Sequence, residues 1–206
     1  GAKDLSKPQI VWLSLDDSPT NVTVHWIQSD RQPPRSVVHV HQSSQTRPET
    51  SIVGRRQELG RINERRYWVH HTKVQSLEPG RDVAFRIPVS SNSWQYTPLR
   101  AGQDTTIAVL GDLGADTNAL RQAMDDVRRH RVPDAVVLAG NLVQKRGDMT
   151  GATLRRWLML LASLADEPSQ DQSARLLPLA TVPGEMDIDV RQDRGVARAG
   201  YMGLLF

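Results

Sequence analysis

The sequence predicts a mixed chain: an all-β sandwich first, then an α/β unit of parallel strands with helical crossovers. Three observations carry this. Between Pro8 and Tyr96 the chain runs in short stretches rich in Val, Thr, Ser and Trp, broken by turn residues at close intervals, which is the pattern of a sandwich. Beyond Asp104 the pattern becomes strand, helix, strand, helix, strand, which implies parallel strands joined by crossovers. Three strand ends in that second part set a polar residue beside glycine: Gly111-Asp112, Gly140-Asn141 and Gly184-Glu185. In an open α/β sheet, ligands collect at the carboxyl ends of the strands.

The elements follow in order. Gln9–Ser14 and Asn21–Trp26 alternate as strands do, with Asp16-Asp17-Ser18-Pro19 as the turn between them. Ser36–His41, entered from Pro33-Pro34, is a third strand, and Arg66–Val74 is a fourth. Leu77-Glu78-Pro79-Gly80 is a turn that leads into a fifth strand, Val83–Val89. With no cysteine to cross-link it, this part draws much of its core from its tryptophans. Tyr96–Asp104 reads as a linker, which divides the chain into residues 1–98 and 104–206.

In the second part, residues 105–110 form a strand. A helix capped at Asp116 or Thr117 follows, with Leu120, Ala123, Met124 and Val127 on one face. Ala135–Ala139 is the next strand. Thr150 caps a second helix whose buried stripe is Leu154, Trp157, Leu158, Leu161 and Leu164. Leu176–Val182 is the last strand, and Pro178 within it predicts an edge position or an irregular stretch.

Composition bounds the function. Of 206 residues, 38% are hydrophobic, enough for a core and too many for a disordered chain. The absence of cysteine excludes disulfides and thiolate metal sites and leaves the compartment open. The net charge is +3, and arginine pairs stand at 55–56, 65–66, 128–129 and 155–156. They are scattered, with no basic run interleaved with aromatics, so they read as solvated surface and predict no nucleic-acid partner. Trp157–Ala165, the longest apolar stretch, is far too short to span a bilayer. Gly1-Ala2 reads as a cleavage scar or a mature terminus.

Gly111-Asp112-Leu113-Gly114, then Pro133-Asp134 to Gly140-Asn141, then Leu179 to Asp187 with Gly184-Glu185-Met186-Asp187, together resemble the purple acid phosphatases, within the calcineurin-like metallophosphoesterases. Val22–Trp26 and Tyr67-Trp68-Val69-His70 before Leu77-Glu78-Pro79-Gly80 resemble that family's fibronectin-III-like N-terminal domain. The resemblance implies a fibronectin-III-like β-sandwich followed by a βαβαβ half of a metallophosphoesterase α/β sandwich. The family pattern runs GDxG, GDxxY, GNH with an acidic residue after it, and two late histidine motifs.

By that resemblance Asp112 matches the GDxG aspartate, a metal ligand. Asn141 stands where an aspartate bridges two metals, and Gln144 where a tyrosine binds iron. Glu185 stands at the metal-binding asparagine and Met186 at the histidine that assists the leaving group. Asp187 matches the acidic residue beside the substrate. The late histidine motifs have no counterpart. Tyr201–Phe206 resembles the segment shortly after GNH, so the sequence is expected to end in mid-domain.

The family uses a dinuclear centre with Fe, Zn or Mn. Here Asn141 removes the charge that would hold two cations together, and Met186 can neither give nor take a proton. Asp112, Glu185 and Asp187 instead suggest an oxygen-rich site suited to Mg²⁺, Mn²⁺ or Ca²⁺. The opposing reading is a relic in which Asp112 binds backbone N–H groups, Asn141 shapes a loop, Glu185 is a surface carboxylate and Met186 packs.

Five of six histidines lie in the first part. His39 and His41 share a strand face and read as solvated, His70 as structural, and His130 as a helix-end cation. There is no nucleophile elbow, no P-loop and no dinucleotide fingerprint.

Three functions are compatible with this: a phosphate-ester hydrolase with an altered, impaired site; a pseudoenzyme serving as a binding or scaffold module; and an adhesion or interaction protein built on the β-sandwich. An open α/β half predicts an exposed apolar sheet face. Its cover would be a missing C-terminal half, a second chain or a homodimer partner. An extracytoplasmic location is implied by the resemblance alone.

Overall fold

A computed structural model describes residues 10–30, 34–42, 49–88, 90–112, 117–130, 132–143, 150–165, 174–183, 189–191, 196–198 and 205. The first part forms β1 (Ile10–Leu15), β2 (Val22–Ser29), β3 (Val37–Gln42), β4 (Thr50–Val53), β5 (Arg55–Ile62), β6 (Arg65–Val74), β7 (Val83–Arg86) and β8 (Ser93–Tyr96). The second forms β9 (Ile107–Gly111), α1 (Thr117–His130), β10 (Ala135–Ala139), α2 (Gly151–Leu164), β11 (Ala174–Arg175), β12 (Pro178–Val182), β13 (Asp189–Arg191) and β14 (Val196–Arg198).

One seven-stranded sheet, in the order β5-β6-β2-β1-β12-β10-β9, runs unbroken through both parts. The join is the parallel pairing of β1 with β12, where Leu13 meets Pro178 and Ser14 meets Leu179. On one side of it the pairing is antiparallel, β1 to β2 to β6 to β5. On the other it is parallel, β12 to β10 to β9. A five-stranded sheet, β11-β8-β7-β3-β4, packs on the antiparallel side, and β13 and β14 pair as a small separate hairpin.

Two cores follow from strand alternation. Val11, Leu13, Val24 and Trp26 point into the sandwich and meet Phe85 and Trp94. Trp12 and Val69, on the opposite face, join Ala108, Val136 and Leu138 under the helices. The helices bury their expected stripes. Leu120 and Met124 on α1 are sealed, as are Leu154, Trp157, Leu161 and Leu164 on α2, with Leu158 half-buried. The hydroxyl of Thr150 accepts from the Thr153 N–H and caps α2 as predicted. Trp12, Trp26 and Trp94 are all buried, so the tryptophans do fill the cores.

The parallel strands are covered on one face only. Ala108 and Leu138 meet the helices, while Ile107, Val109 and Val182 are 54%, 66% and 55% exposed. Val109 pairs with Val137, which pairs with Ala180, and Gly111 with Ala139, which pairs with Val182. These rows make one bare apolar patch.

Several expectations need correction. The last strand, read as Leu176–Val182, starts only at Pro178 as β12 in the larger sheet, and an unforeseen two-residue strand, β11, precedes it in the smaller one. Leu176 and Leu177 carry the chain between them, which is the irregular stretch that Pro178 announced. Pro178 does not mark an edge, because β12 lies between β1 and β10; the first residue of a strand tolerates its missing N–H. The strand read as Val83–Val89 ends at Arg86. β4, β5 and β8 were not foreseen. β5 is an edge strand whose Arg55 to Glu58 are all exposed, so no alternation marks it. Among the described residues no helix is long and apolar enough to cross a membrane.

A candidate metal centre at the carboxyl edge of the sheet

β9, β10 and β12 are parallel and end level with one another: Gly111 stands beside Ala139, and Ala139 beside Val182. Beyond that row the backbone is laced across the strands. The Asp112 N–H donates to the Gly140 carbonyl at 3.1 Å, and the Gly140 N–H donates to the Val182 carbonyl at 2.8 Å. Strand ends tied in this way hold the residues after them in fixed relation.

Asp112 and Asn141 both take the left-handed backbone conformation, with φ of 49° and 51°. Among non-glycine residues Asp and Asn visit that region most readily, because a short polar side chain can bond locally. Gly140, with φ of 50°, precedes Asn141 in the same conformation. Gly111 is required for a different reason. A Cβ there would stand 2.6 Å from the Ala139 carbonyl oxygen, so only glycine permits the close approach of β9 to β10. Each strand therefore breaks off abruptly at a polar residue, and the two breaks are equivalent. Strained backbone of this kind is frequent at functional sites.

Asp112 is exposed and Asn141 half-buried. The Asp112 carboxylate makes no hydrogen bond or ion pair to a described residue, whereas Asn141 is engaged. Gln144, Glu185, Met186 and Asp187 lie outside the described residues. Among the described residues no three of His, Cys, Asp and Glu come together in a way that could hold a metal. One carboxylate and one neutral amide do not fit a dinuclear centre, which needs an anionic bridge and several further ligands. Nor does a described histidine stand at this edge to serve as a proton donor.

The histidines are instead structural, more so than the sequence suggested. His25 on β2 and His71 on β6 pair in register, and their Nδ1 atoms are 2.7 Å apart. One ring donates the proton that the other accepts. His25 also shares a hydrogen bond of 2.7 Å with the Ser14 hydroxyl and stacks on Trp12. His70, on the sandwich face, stacks on Trp26 and is bonded through Nδ1 to the Ser36 hydroxyl. Burial holds His25 well below the usual imidazole range, with His71 and Arg55 adding to the effect. His70 is lowered to about 4 by burial, then by Arg56 and His71. His39 lies on the surface as expected, bonded to the Ser51 hydroxyl. The one available signal for the buried pair was that His25 and His71 fall within strands otherwise dense in apolar residues.

Comparison with known proteins agrees with this geometry. Residues 105–203 match the model of the calcineurin-like phosphoesterase family. Among solved structures, the purple acid phosphatase PPD1 from yellow lupin (Lupinus luteus) seeds resembles the chain with a TM-score of 0.64 at 14% identity. The match covers 97% of this chain and 39% of the lupin protein, so the chain spans about two fifths of that length. No curated protein matches the sequence significantly. That family is one of metal-dependent phosphoesterases; the segment 105–203 is similar to it, and the chain shares the fold of about two fifths of a purple acid phosphatase.

Proposed function

We propose that this chain is a metallophosphoesterase module with an impaired site, which keeps the strand-end geometry of a phosphate-ester hydrolase and has lost most of its ligands. The observation that carries this is the matched left-handed pair, Asp112 and Asn141, on neighbouring strand ends. The backbone is built for ligands, while an amide replaces the bridging carboxylate. On this reading Asp112, the Asn141 oxygen and Glu185 hold a single hard divalent cation weakly, and Asp187 stands near the substrate. Phosphate-ester hydrolysis by the chain alone is then negligible. Residues 1–98 serve as a fibronectin-III-like sandwich and residues 104–206 as half of a catalytic unit, the two sharing one sheet. An extracytoplasmic location goes with the family resemblance.

The test is the metal content of dialysed protein, wild type beside Asp112→Ala and Asn141→Asp, with Mn²⁺ titration of each. The expected result is weak binding by wild type, loss in Asp112→Ala, and at least tenfold tighter binding in Asn141→Asp. Equal affinity in all three would remove the metal site and leave the scaffold reading. That second reading has its own observation, the bare apolar face around Val109. We read that face as the seat of a second sheet, whether from a longer chain, another chain or a second copy.

A further inference from the structure

A cleft of about 520 Å³ opens between α2 and the antiparallel part of the large sheet, within the size range of small-molecule sites. It lies at the edge of the sheet opposite Asp112: Ile10 opens β1, Ile27 pairs with it, and Ser29 pairs with Tyr67. α2 contributes a second apolar stripe. Arg155, Leu158, Met159 and Ala162 follow one another at helical spacing and all line the cleft. They lie off the stripe that Leu154, Trp157, Leu161 and Leu164 bury in the core. Met159 is 50% exposed, a large apolar side chain facing a space that nothing described fills.

The charge of the cleft is one-sided. Arg65 and Arg155 line it with Ser29, Asn63 and Tyr67, and among the described residues no acidic one does. Some arginines elsewhere find carboxylates: Arg66 pairs with Glu58, Arg81 with Glu78 and Arg86 with Glu49. Among the described residues Arg65 and Arg155 make no ion pair. Two guanidinium groups on one rim favour a carboxylate, which each can bind through paired N–H donors. The apolar floor favours a hydrocarbon tail, at about 25 cal/mol per Å² removed from water.

We propose that this cleft binds an amphiphilic carboxylate, with its head between Arg65 and Arg155 and its chain along Ile10, Ile27, Leu158 and Met159. Both halves of the ligand are needed. A neutral amphiphile leaves the arginines unpaired, and a cationic one is repelled.

The experiment is a fluorescence titration of the full chain with 11-(dansylamino)undecanoic acid, followed by displacement. Saturable binding of one equivalent is expected. Dodecanoate displaces the probe at least tenfold better than dodecanol, and dodecyltrimethylammonium does not displace it. Replacing Arg65 and Arg155 together with alanine weakens dodecanoate at least tenfold. Ala162→Trp, at an exposed helix position, blocks the cleft and abolishes binding. Urea unfolding curves matching wild type show that both variants fold. Absence of saturable binding overturns the proposal, as does full binding by Ala162→Trp. Loss of binding in Val109→Lys, with Ala162→Trp unaffected, assigns the probe to the bare sheet face and overturns it too.

Discussion

The two ends of the seven-stranded sheet differ in how they are covered. β1, β2 and β6 carry the smaller sheet on one face and join the helix-side core on the other, so Trp26 and Val69 are sealed on opposite faces. β9, β10 and β12 are covered by the helices alone, and Val109 and Val182 stand in water. The carboxyl edge with Asp112 and Asn141 belongs to the half-covered end. The chain has thus kept a fully buried scaffold, while its candidate site rests on strands that still lack a layer. An antiparallel sandwich closes on its own neighbours, whereas parallel strands need helices or sheets on both faces.

The comparison is broken or sharpened most strongly by deletion of side chains at the two ends. Trp26→Ala removes a sealed ring and is expected to cost about 3–5 kcal/mol, read as a fall in the urea midpoint. Val109→Ala, on the bare face, is expected to cost less than about 0.5 kcal/mol. A cost above that of an ordinary surface change would mean that the bare face is covered in the protein as it exists in solution.

Acid is the next largest lever, and it acts only on the covered end. His25 and His70 have folded pKa values below the ordinary 6.5, so the unfolded chain binds protons that the folded chain refuses. Stability is therefore full above about pH 6.5 and falls as the pH drops toward 4, where His70 itself titrates. A loss of roughly 1–3 kcal/mol is expected, at 1.4 kcal/mol per unit of depression. Protonation also sets an N–H on each of the facing Nδ1 atoms of His25 and His71, which parts β2 from β6. Unfolding free energies measured between pH 7 and pH 4 should show this slope, and His70→Asn should flatten it. A wild-type curve without slope would show that the histidines are not held neutral.

A smaller effect than acid bears on the helix layer. Thr150→Ala removes the α2 cap and should cost about 1 kcal/mol. Because α2 packs on β1 and β5, hydrogen exchange in β1 should quicken with exchange in α2 and leave β3 unchanged.

Much of this fold was legible from local pattern. Ala135–Ala139 reads as a strand because its apolar run is bounded by Pro133-Asp134 and Gly140. Both helices show their stripes, and α2 shows its cap at Thr150; the cap expected at Asp116 lies outside the described residues. The positions of Asp112 and Asn141 just past β9 and β10 were legible, since each follows an apolar run and a glycine. What could not be read was everything set by partners distant in sequence. β5 opens with four exposed polar residues, Arg55 to Glu58, because it is an edge. The His25–His71 pair joins residues 46 positions apart, and the cleft is walled by residues of β1, β2, β5, β6 and α2.

By itself, then, the sequence determined the two helices and the strands β1, β2, β3, β6, β9 and β10 to within a few residues, which helix faces bury, and that Asp112 and Asn141 stand at strand ends. Those follow from side-chain periodicity and capping, which act over a few residues. The tertiary structure alone decided that β1 pairs with β12 and so fuses the sandwich and the parallel strands into one sheet. It also decided that Asp112 and Asn141 each take the left-handed backbone conformation, that three histidines are sealed in the core, and that one face remains bare. Each of these depends on which distant backbone edges and side-chain faces meet, and no local pattern records that choice.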